Sequence, residues 1–273
     1  MDLLIKLLKR ELFKLLIIVA FIPGVVLANH AKQPHILATN YAVVDIGTGE
    51  LLEEKNSNEV RSIASITKVM TAIVSADSGQ DLSETILVKH IKGISTKLKA
   101  GLWIPRSTLI HLALLSSDNL AAKLLATNYP GGEHAFVIAM NYKAREIGML
   151  NSEFTDPTGL LDTNVSTVND LIKLVIHADN YQNLKDFSVT KTQVAVPSKK
   201  KLNFINFNST NKLVDRYKDI VFSKTGWIRK SGGCLIMLVH NQSSKRIIVL
   251  LNSKNTHTRI VDGDLLHGIY NNG

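Results

Sequence analysis

The chain has 273 residues, of which 45% are hydrophobic and 20% are charged, so it is long enough to form one large globular domain with a full core. We find no low-complexity segment and no repeat with a solenoid period. The formal net charge is +9, but no basic run is interleaved with aromatic residues, so we expect no nucleic-acid partner.

The N-terminal segment, residues 1–28, differs from the rest of the chain. Four basic residues precede an apolar run at residues 15–27, and the small residue Ala28 ends the segment as in a cleavage site. This pattern predicts a secretory signal peptide that is cut after Ala28 and releases residues 29–273 as one domain. The apolar run is short for a bilayer, so we expect no transmembrane span in the mature chain. The alternative is an uncleaved N-terminal anchor.

The N-terminal half predicts two strands followed by helices. The predicted strands are Tyr41–Ile46 and Glu50–Leu52, joined by a glycine-containing turn. Apolar spacing and capping residues then predict a helix from Ser65 to Ser78, one that starts at Ser107, one between Gly132 and Gly148, and one that begins near Thr167 with Asp170 placed for capping.

The C-terminal part returns to strands. Apolar runs predict strands at Ile220–Lys224, Cys234–His240 and Ile247–Asn252, followed by a helix at His257–Tyr270. Strands at both ends with helices between them indicate an α+β fold, with one antiparallel sheet, packed helices and a helical subdomain. Cys234 is the only cysteine and lies in a buried-strand pattern, so we expect an inert, packed thiol and no internal disulfide.

Three short motifs carry the chemical signal. They are Ser-x-x-Lys at Ser65–Lys68, Ser-x-Asn at Ser117–Asn119 and Lys-Thr-Gly at Lys224–Gly226. Together they are typical of penicillin-binding proteins and class A β-lactamases. Each motif alone is weak, because similar patterns recur at Ser188–Lys191, Ser198–Lys201, Ser209–Lys212 and Lys230–Gly232.

The context of each motif favours the first set. Ser65 opens an apolar helix, and Lys68 lies three residues later on the same face, within reach of the hydroxyl proton. The positive end of the helix dipole also favours negative charge near Ser65. The rival pairs lie in polar, lysine-rich stretches. Lys224–Gly226 ends a predicted strand, where Gly226 would let a peptide approach the strand edge without a Cβ in the way.

Longer segments around these motifs resemble the low-molecular-mass serine D,D-peptidases, and within them the endopeptidase branch. The segments are Ile63–Ala72, Leu114–Ala122, Tyr129–Gly132, Phe154–Leu160 and Val165–Thr167. The resemblance runs in order from about residue 40 to 270. It implies a β-lactamase/transpeptidase-like fold and an enzyme of the periplasm that acts on peptidoglycan stem peptides through a serine acyl-enzyme.

The resemblance also implies roles for individual residues. Ser65 would attack a D-Ala carbonyl, with Lys68 as the base after burial and the nearby Lys224 have lowered its pKa. Ser117 would pass a proton to the leaving amine.

The remaining implied roles concern substrate binding. Asn119 would hold Lys68 and the substrate amide, Lys224 and Thr225 would bind the carboxylate beyond the scissile bond, and Gly226 would border the substrate. Backbone N–H groups of Ser65 and Trp227 would form the oxyanion hole. No cofactor and no metal are expected.

Several functions remain open at this point. We expect a D,D-endopeptidase that cleaves D-Ala–diaminopimelate cross-links and binds β-lactams covalently; the alternative is a D-Ala-D-Ala carboxypeptidase. A β-lactamase would need a deacylating base, but Glu153 is interpreted as a solvated loop residue. A non-catalytic β-lactam sensor would need transmembrane helices and a signalling domain. The histidines lack a His-Glu-x-x-His frame, so metal catalysis is not expected.

Overall fold

The computed structural model describes residues 35–197, 202–242 and 244–271. The predicted signal peptide at residues 1–28 and the rival pair Ser198–Lys201 lie outside the described residues. In chain order the strands are β1 (Asn40–Asp45), β2 (Glu50–Lys55), β3 (Arg61–Ser62), β4 (Thr85–Leu87), β5 (Trp103–Pro105), β6 (Val165–Ser166), β7 (Thr192–Pro197), β8 (Leu202–Phe207), β9 (Ile220–Ile228), β10 (Gly232–His240) and β11 (Lys245–Ser253).

The helices alternate with these strands along the chain. In order they are α1 (Thr67–Asp77), α2 (Arg106–Leu115), α3 (Asn119–Thr127), α4 (Gly132–Glu146), α5 (Val168–Ala178), α6 (Gln182–Val189), α7 (Leu213–Arg216) and α8 (Thr258–Asn271). A 3-10 turn at Ala64–Ile66 leads directly into α1. In the described ranges, no helix is long and apolar enough to cross a bilayer.

The main sheet has five antiparallel strands in the order β2-β1-β11-β10-β9. Its inner strand β10 is buried on both faces, because alternate side chains join two different clusters. Cys234, Ile236 and Leu238 pack into the large core that includes the helices α1 to α5. Leu235 and Met237 pack on the opposite face, in the cluster that includes Leu266 of α8. This double burial explains the uninterrupted apolar run of β10 in the sequence. In the strand order of the sheet, β9 lies at one edge.

The helical part surrounds α1. Every residue from Thr67 to Ser75 is buried, including Lys68, so α1 has no solvent-facing side over this stretch. The predicted helix ends also agree in detail: Thr167 Oγ1 accepts a hydrogen bond from Asp170 N at 3.1 Å at the start of α5. Gly148 has a φ of +77°, as expected for a residue that ends a helix.

The α+β prediction is confirmed, but three details differ from the sequence-based expectation. The strand predicted to end at Lys224 continues to Ile228, so the third motif lies inside β9. The prediction also missed the helices α3 and α6 and the hairpin of β7 and β8. These elements are short, and their apolar pattern is too brief to stand out from that of a loop.

Candidate active site

The first motif lies in a constrained turn rather than in the first turn of α1. Ser65 is half-buried in the 3-10 turn, and Ala64 before it has a φ of +47°, a conformation that a residue with a Cβ rarely adopts. Thr67 Oγ1 donates a hydrogen bond to Ala64 O at 2.7 Å, which closes the turn. Such a conformation persists only where the surroundings hold it, as at many functional sites.

Lys68 is fully buried directly beneath Ser65. Its Nζ lies 2.9 Å from Ser65 Oγ, 2.7 Å from Asn119 Oδ1 and 2.5 Å from Thr158 O. The amide and carbonyl oxygens can only accept, whereas a hydroxyl can also donate. A neutral amine satisfies all three contacts, because it donates to Asn119 and Thr158 and accepts the proton of Ser65.

Burial favours this neutral form of Lys68. Loss of water lowers the pKa of Lys68 to about 7, and the carboxylates of Asp156 and Asp118 only partly oppose the change. A large part of the Lys68 population is therefore unprotonated at neutral pH. An amine in this state can take a hydroxyl proton, which an ordinary lysine with a pKa near 10.4 cannot do at that pH.

The second motif connects α2 to α3. Ser117 adopts a φ of +58° in the connecting loop, and Asn119 is the first residue of α3. Asp118 between them caps α3, because its Oδ1 accepts from Ala121 N at 2.9 Å, while its Oδ2 accepts from Thr96 Oγ1 at 2.7 Å. The cap fixes the directions of the two flanking side chains, so that Asn119 points at Lys68 and Ser117 at Lys224.

The third motif lies on the edge strand β9 and contacts the second. Lys224 is buried, and its Nζ donates to Ser117 Oγ at 2.9 Å and to Thr225 O at 2.7 Å. Thr225 Oγ1 lies 2.6 Å from Thr210 Oγ1. The structure thus brings the three sequence motifs together around Ser65, Lys68, Ser117, Asn119 and Lys224.

The two buried lysines share one electrostatic environment. Burial lowers the pKa of Lys224 well below its ordinary value, and the positive charges of Lys68 and Arg259 lower it further. Both effects favour the neutral form of Lys224 in the free protein. A bound carboxylate would supply the missing negative charge and favour the protonated form of Lys224.

Gly226 also serves a contact within the protein that the sequence did not indicate. A Cβ on Gly226 would lie 2.9 Å from both Ile63 O and Ser65 N, so it would collide with the turn that carries Ser65. The glycine allows the turn that carries Ser65 to pack against β9. The same contact places the backbone of Ser65 beside Gly226 and the next residue, Trp227, whose side chain is half-exposed.

Sequence reasoning missed the residues that support the site. Asp156 Oδ1 accepts from the backbone nitrogens of Thr158 at 2.6 Å and Gly159 at 2.9 Å, which holds the Thr158 carbonyl that contacts Lys68. The Asp-Pro-Thr-Gly sequence is a turn signal that could have indicated this loop. Arg259 of α8 is buried and donates from Nη1 to Gly226 O at 2.5 Å, but no local sequence signal indicates this contact.

The rival motifs in the described residues serve other contacts. Ser188 is buried, donates to Lys185 O at 2.8 Å and accepts from Ser223 N at 3.1 Å. Ser209 Oγ accepts from Asn211 N at 3.1 Å in a local turn. Lys230–Gly232 spans the connection from β9 to β10.

Two further expectations are tested by burial. Glu153 is exposed and its backbone pairs with Val165, which agrees with a solvated loop residue. Cys234 is buried, and loss of water raises the pKa of its thiol to about 11, so the thiol is inert. Over the residues described, no group of three or more His, Cys, Asp or Glu side chains could hold a metal ion.

Comparison with known proteins defines the class of this chain. A family profile described as D-alanyl-D-alanine carboxypeptidase, peptidase family S11, matches residues 27–255. The chain belongs to this family of serine peptidases.

Individual relatives make the comparison more specific. The chain is 36% identical over 247 residues to the D-alanyl-D-alanine endopeptidase of Escherichia coli strain K12, with 88% of this chain and 79% of the relative covered. It is also 36% identical over 240 residues to the D-alanyl-D-alanine endopeptidase of Pseudomonas aeruginosa, with 86% and 77% covered. The D-alanyl-D-alanine carboxypeptidase DacA of E. coli strain K12 is 33% identical, but over 55% of this chain and 39% of the relative.

Solved structures agree on the fold. The DD-transpeptidase of Streptomyces K15 superposes with a TM-score of 0.79 at 24% identity and covers 86% of this chain and 98% of that structure. Penicillin-binding protein D2 of Listeria monocytogenes, in its cefotaxime-bound form, superposes with a TM-score of 0.74 at 24% identity, with the same coverage. At this identity the likeness establishes the β-lactamase/transpeptidase-like fold alone.

Proposed function

We propose that the protein is a serine D,D-endopeptidase that cleaves cross-links between peptidoglycan stem peptides through an acyl-enzyme on Ser65. The observation that carries the proposal is the position of a buried amine of lowered pKa, Lys68 Nζ, 2.9 Å from Ser65 Oγ. The similarity of the chain to two D-alanyl-D-alanine endopeptidases, over more than three quarters of each protein, supports this substrate class.

Acylation follows from the contacts of the site. Ser65 Oγ attacks the carbonyl carbon of the D-Ala residue, and its proton moves to neutral Lys68 Nζ. The carbonyl oxygen becomes an oxyanion, which the backbone N–H groups of Ser65 and Trp227 stabilise. When the C–N bond breaks, the leaving amine takes a proton from Ser117 Oγ, which contacts Lys224 Nζ. Protonated Lys68 passes the proton that it took from Ser65 on to Ser117, so Lys68 is neutral again before water attacks.

The second half of the reaction releases the acyl group. Water attacks the ester carbonyl, its proton moves to the neutral amine of Lys68, and Ser65 recovers its hydroxyl proton as the ester bond breaks. During binding, the Asn119 amide holds Lys68 and the substrate backbone. Lys224 and Thr225 bind the carboxylate of the leaving group, where the substrate charge favours protonated Lys224.

Covalent labelling tests the nucleophile. The mature protein is treated with fluorescent penicillin, digested, and the labelled peptide is sequenced by mass spectrometry. We expect the label on Ser65 and none on the Ser65→Ala variant. Ser209→Ala, at another serine of a Ser-x-x-Lys pattern, is the matched control and should label like the wild type. A label on Ser188, Ser198 or Ser209, or none at all, contradicts the assignment.

Product analysis tests the substrate class. Purified cross-linked muropeptide dimers are incubated with the enzyme, and the products are identified by mass. Conversion of dimers to monomers supports endopeptidase activity. Loss of one alanine from stem pentapeptides without loss of dimers would identify a carboxypeptidase instead.

We also propose export to the periplasm through cleavage of residues 1–28. The basic start, the short apolar run and Ala28 support this proposal. N-terminal sequencing of the exported protein should give Asn29 as the first residue. A chain that begins at Met1 and resists extraction from membranes would indicate an anchor.

A further inference from the structure

A cavity of about 630 Å³ opens beside the third motif. Its volume lies in the range typical of ligand sites. Lys97, Thr210, Lys212, His257 and Arg259 are among the residues that line it. None of its lining residues is acidic.

The cavity continues from the side of the site that receives the leaving group. Thr210 lines the cavity, and its Oγ1 lies 2.6 Å from Thr225 Oγ1. Arg259 lines it as well and donates to Gly226 O. Along β9, the proposed oxyanion donor Trp227 follows Gly226, whereas Thr225 precedes it. A leaving group whose carboxylate binds at Thr225 therefore extends away from Trp227, towards Thr210 and the cavity.

Among the described residues, the two lysines that line this cavity form no ion pair with a carboxylate. Within the described residues, no carboxylate lies within ion-pair distance of Lys97 or Lys212. Asp215, three residues after Lys212 in the chain, interacts electrostatically with Lys212 but forms its ion pair with Lys191, at 2.9 Å. The buried Arg259 has no hydrogen-bond partner at Nε. A buried donor without a partner is unfavourable and indicates that a ligand or water is needed there.

The position of Lys97 adds to this arrangement. Its Nζ lies 5.6 Å from the centre of the Phe207 ring, a cation–π contact that holds the long side chain beside the cavity. Lys97 precedes the second motif and Lys212 precedes the third in the chain. The fold therefore brings cations from two distant segments to one wall next to the site.

We propose that this cavity binds a carboxylate of the acceptor stem peptide, which is the stem peptide that leaves when the cross-link is cut, and thereby selects cross-linked substrates. The inference rests on the proposed function, because it concerns the leaving group of that reaction. A carboxypeptidase releases free D-Ala, which has no atoms beyond its own carboxylate. An endopeptidase releases an entire second stem peptide, which ends in a further carboxylate. Lys97 and Lys212 attract this carboxylate, and the positive charge of Arg259 beside them adds to the attraction.

The experiment measures the cleavage of two substrates by the wild type, a test variant and a control variant. The substrates are a purified cross-linked muropeptide dimer with a free carboxylate at the acceptor C-terminus and the same dimer amidated there. The test variant is Lys97→Gln/Lys212→Gln. The control variant is Lys55→Gln/Lys89→Gln, which removes the same charge at exposed positions; Lys55 lies on β2, at the opposite edge of the sheet.

We expect the wild type and the control variant to prefer the free acid over the amide. The test variant should lose about tenfold in kcat/KM for the free acid and much less for the amide. The reason is that only the free acid carries the negative charge that Lys97 and Lys212 attract. The preference of the wild type should also weaken as salt is raised.

The outcomes separate this inference from the proposed function. If the wild type cleaves both dimers equally well, or if the test variant keeps the preference, the cavity does not bind the acceptor carboxylate, while the endopeptidase proposal stands. If the wild type is labelled by penicillin at Ser65 but releases only free D-Ala, both the endopeptidase proposal and this inference fail.

Discussion

Asn164 Nδ2 donates a hydrogen bond to Thr67 Oγ1 at 3.0 Å, although the two residues are 97 positions apart in the chain. Thr67 in turn donates to Ala64 O in the nucleophile turn. The Asn164 amide also accepts from Thr155 N at 2.7 Å and donates to Asp156 O at 2.9 Å. One buried side chain thus connects the turn that carries Ser65 to the loop whose Thr158 carbonyl contacts Lys68.

We expect Asn164→Ala to lower the free energy of unfolding by about 2–4 kcal/mol, because it leaves several buried polar groups without partners. Urea unfolding of the mature protein measures the change. Asn180→Ala is the matched control, since Asn180 is exposed, and its effect should stay within about 0.5 kcal/mol. Equal effects of the two substitutions would show that the Asn164 contacts do not hold the loop.

Gly159 and Gly49 form a matched pair for a second prediction. Both have a positive φ, +72° and +78°, but a Cβ on Gly159 would lie 1.9 Å from Ala64 O, whereas a Cβ on Gly49 meets nothing within 4 Å. Gly49→Ala should destabilise by about 1–2 kcal/mol through backbone strain alone. Gly159→Ala should destabilise more and also slow acylation by penicillin, because the nucleophile turn must move. Equal acylation rates in the two variants would contradict this prediction.

The rate of acylation by penicillin should depend on the protonation of Lys68. Since the pKa of Lys68 in the free protein is about 7, the neutral amine is scarce below that pH. The second-order acylation rate should therefore rise with pH through about 7 and then level off. Lys68→Arg cannot lose its proton at any of these pH values, so we expect a loss of at least roughly 10² to 10⁴ in rate. A near wild-type rate would mean that the Ser65 proton goes elsewhere, with Ser117 as the next candidate.

Lys224→Arg should behave differently from Lys68→Arg. The proposed task of Lys224 is to hold a carboxylate, and an arginine can do this as a permanent cation. We expect partial activity, with the loss mainly in kcat/KM rather than in kcat, although the buried position limits the fit of the larger side chain. Measurements of kcat and kcat/KM against pH on both variants check this prediction. The same residual rate in the two would remove the distinction between the lysines.

Stability should also reveal the lowered pKa of Lys68. The unfolded chain keeps this pKa near 10.4, so between pH 7 and 10 the unfolded chain binds more protons than the folded protein, and stability rises with pH. In Lys68→Met this contribution is absent. The unfolding free energy of the wild type should therefore gain about 2–4 kcal/mol relative to Lys68→Met over this range. For Lys89→Met, at an exposed position, the difference should stay constant with pH.

The sequence was informative where a short pattern encodes a local structure. Thr167 and Asp170 predicted the start of α5, and Gly148 predicted the end of α4. Both predictions were possible because capping and a positive φ depend on neighbouring residues. The α+β architecture followed from the order of apolar runs. The sequence placed the first motif near a helix start and the third on a strand, and the structure has them in the turn that leads into α1 and inside β9.

Contacts between distant segments could not be predicted in this way. Arg259 is 33 residues from Gly226 and Thr210 is 15 residues from Thr225, and neither pair has a distinctive local pattern. The contact of Gly226 with the Ser65 turn could not be predicted either, because only the fold brings the two segments together. The lowered pKa of Lys224 could not be predicted for the same reason, since it depends on burial and on the charges of Lys68 and Arg259.

The edge position of β9 has a consequence for how a peptide is aligned. A peptide that pairs with β9 becomes a sixth strand of the sheet, and its register decides which carbonyl faces Ser65. A slip of one residue turns every side chain to the other face, and a slip of two moves the scissile carbonyl by about 7 Å. If the substrate carboxylate binds at Thr225 as proposed, the hydrogen-bond register along β9 would set the distance from that carboxylate to the bond that is cut.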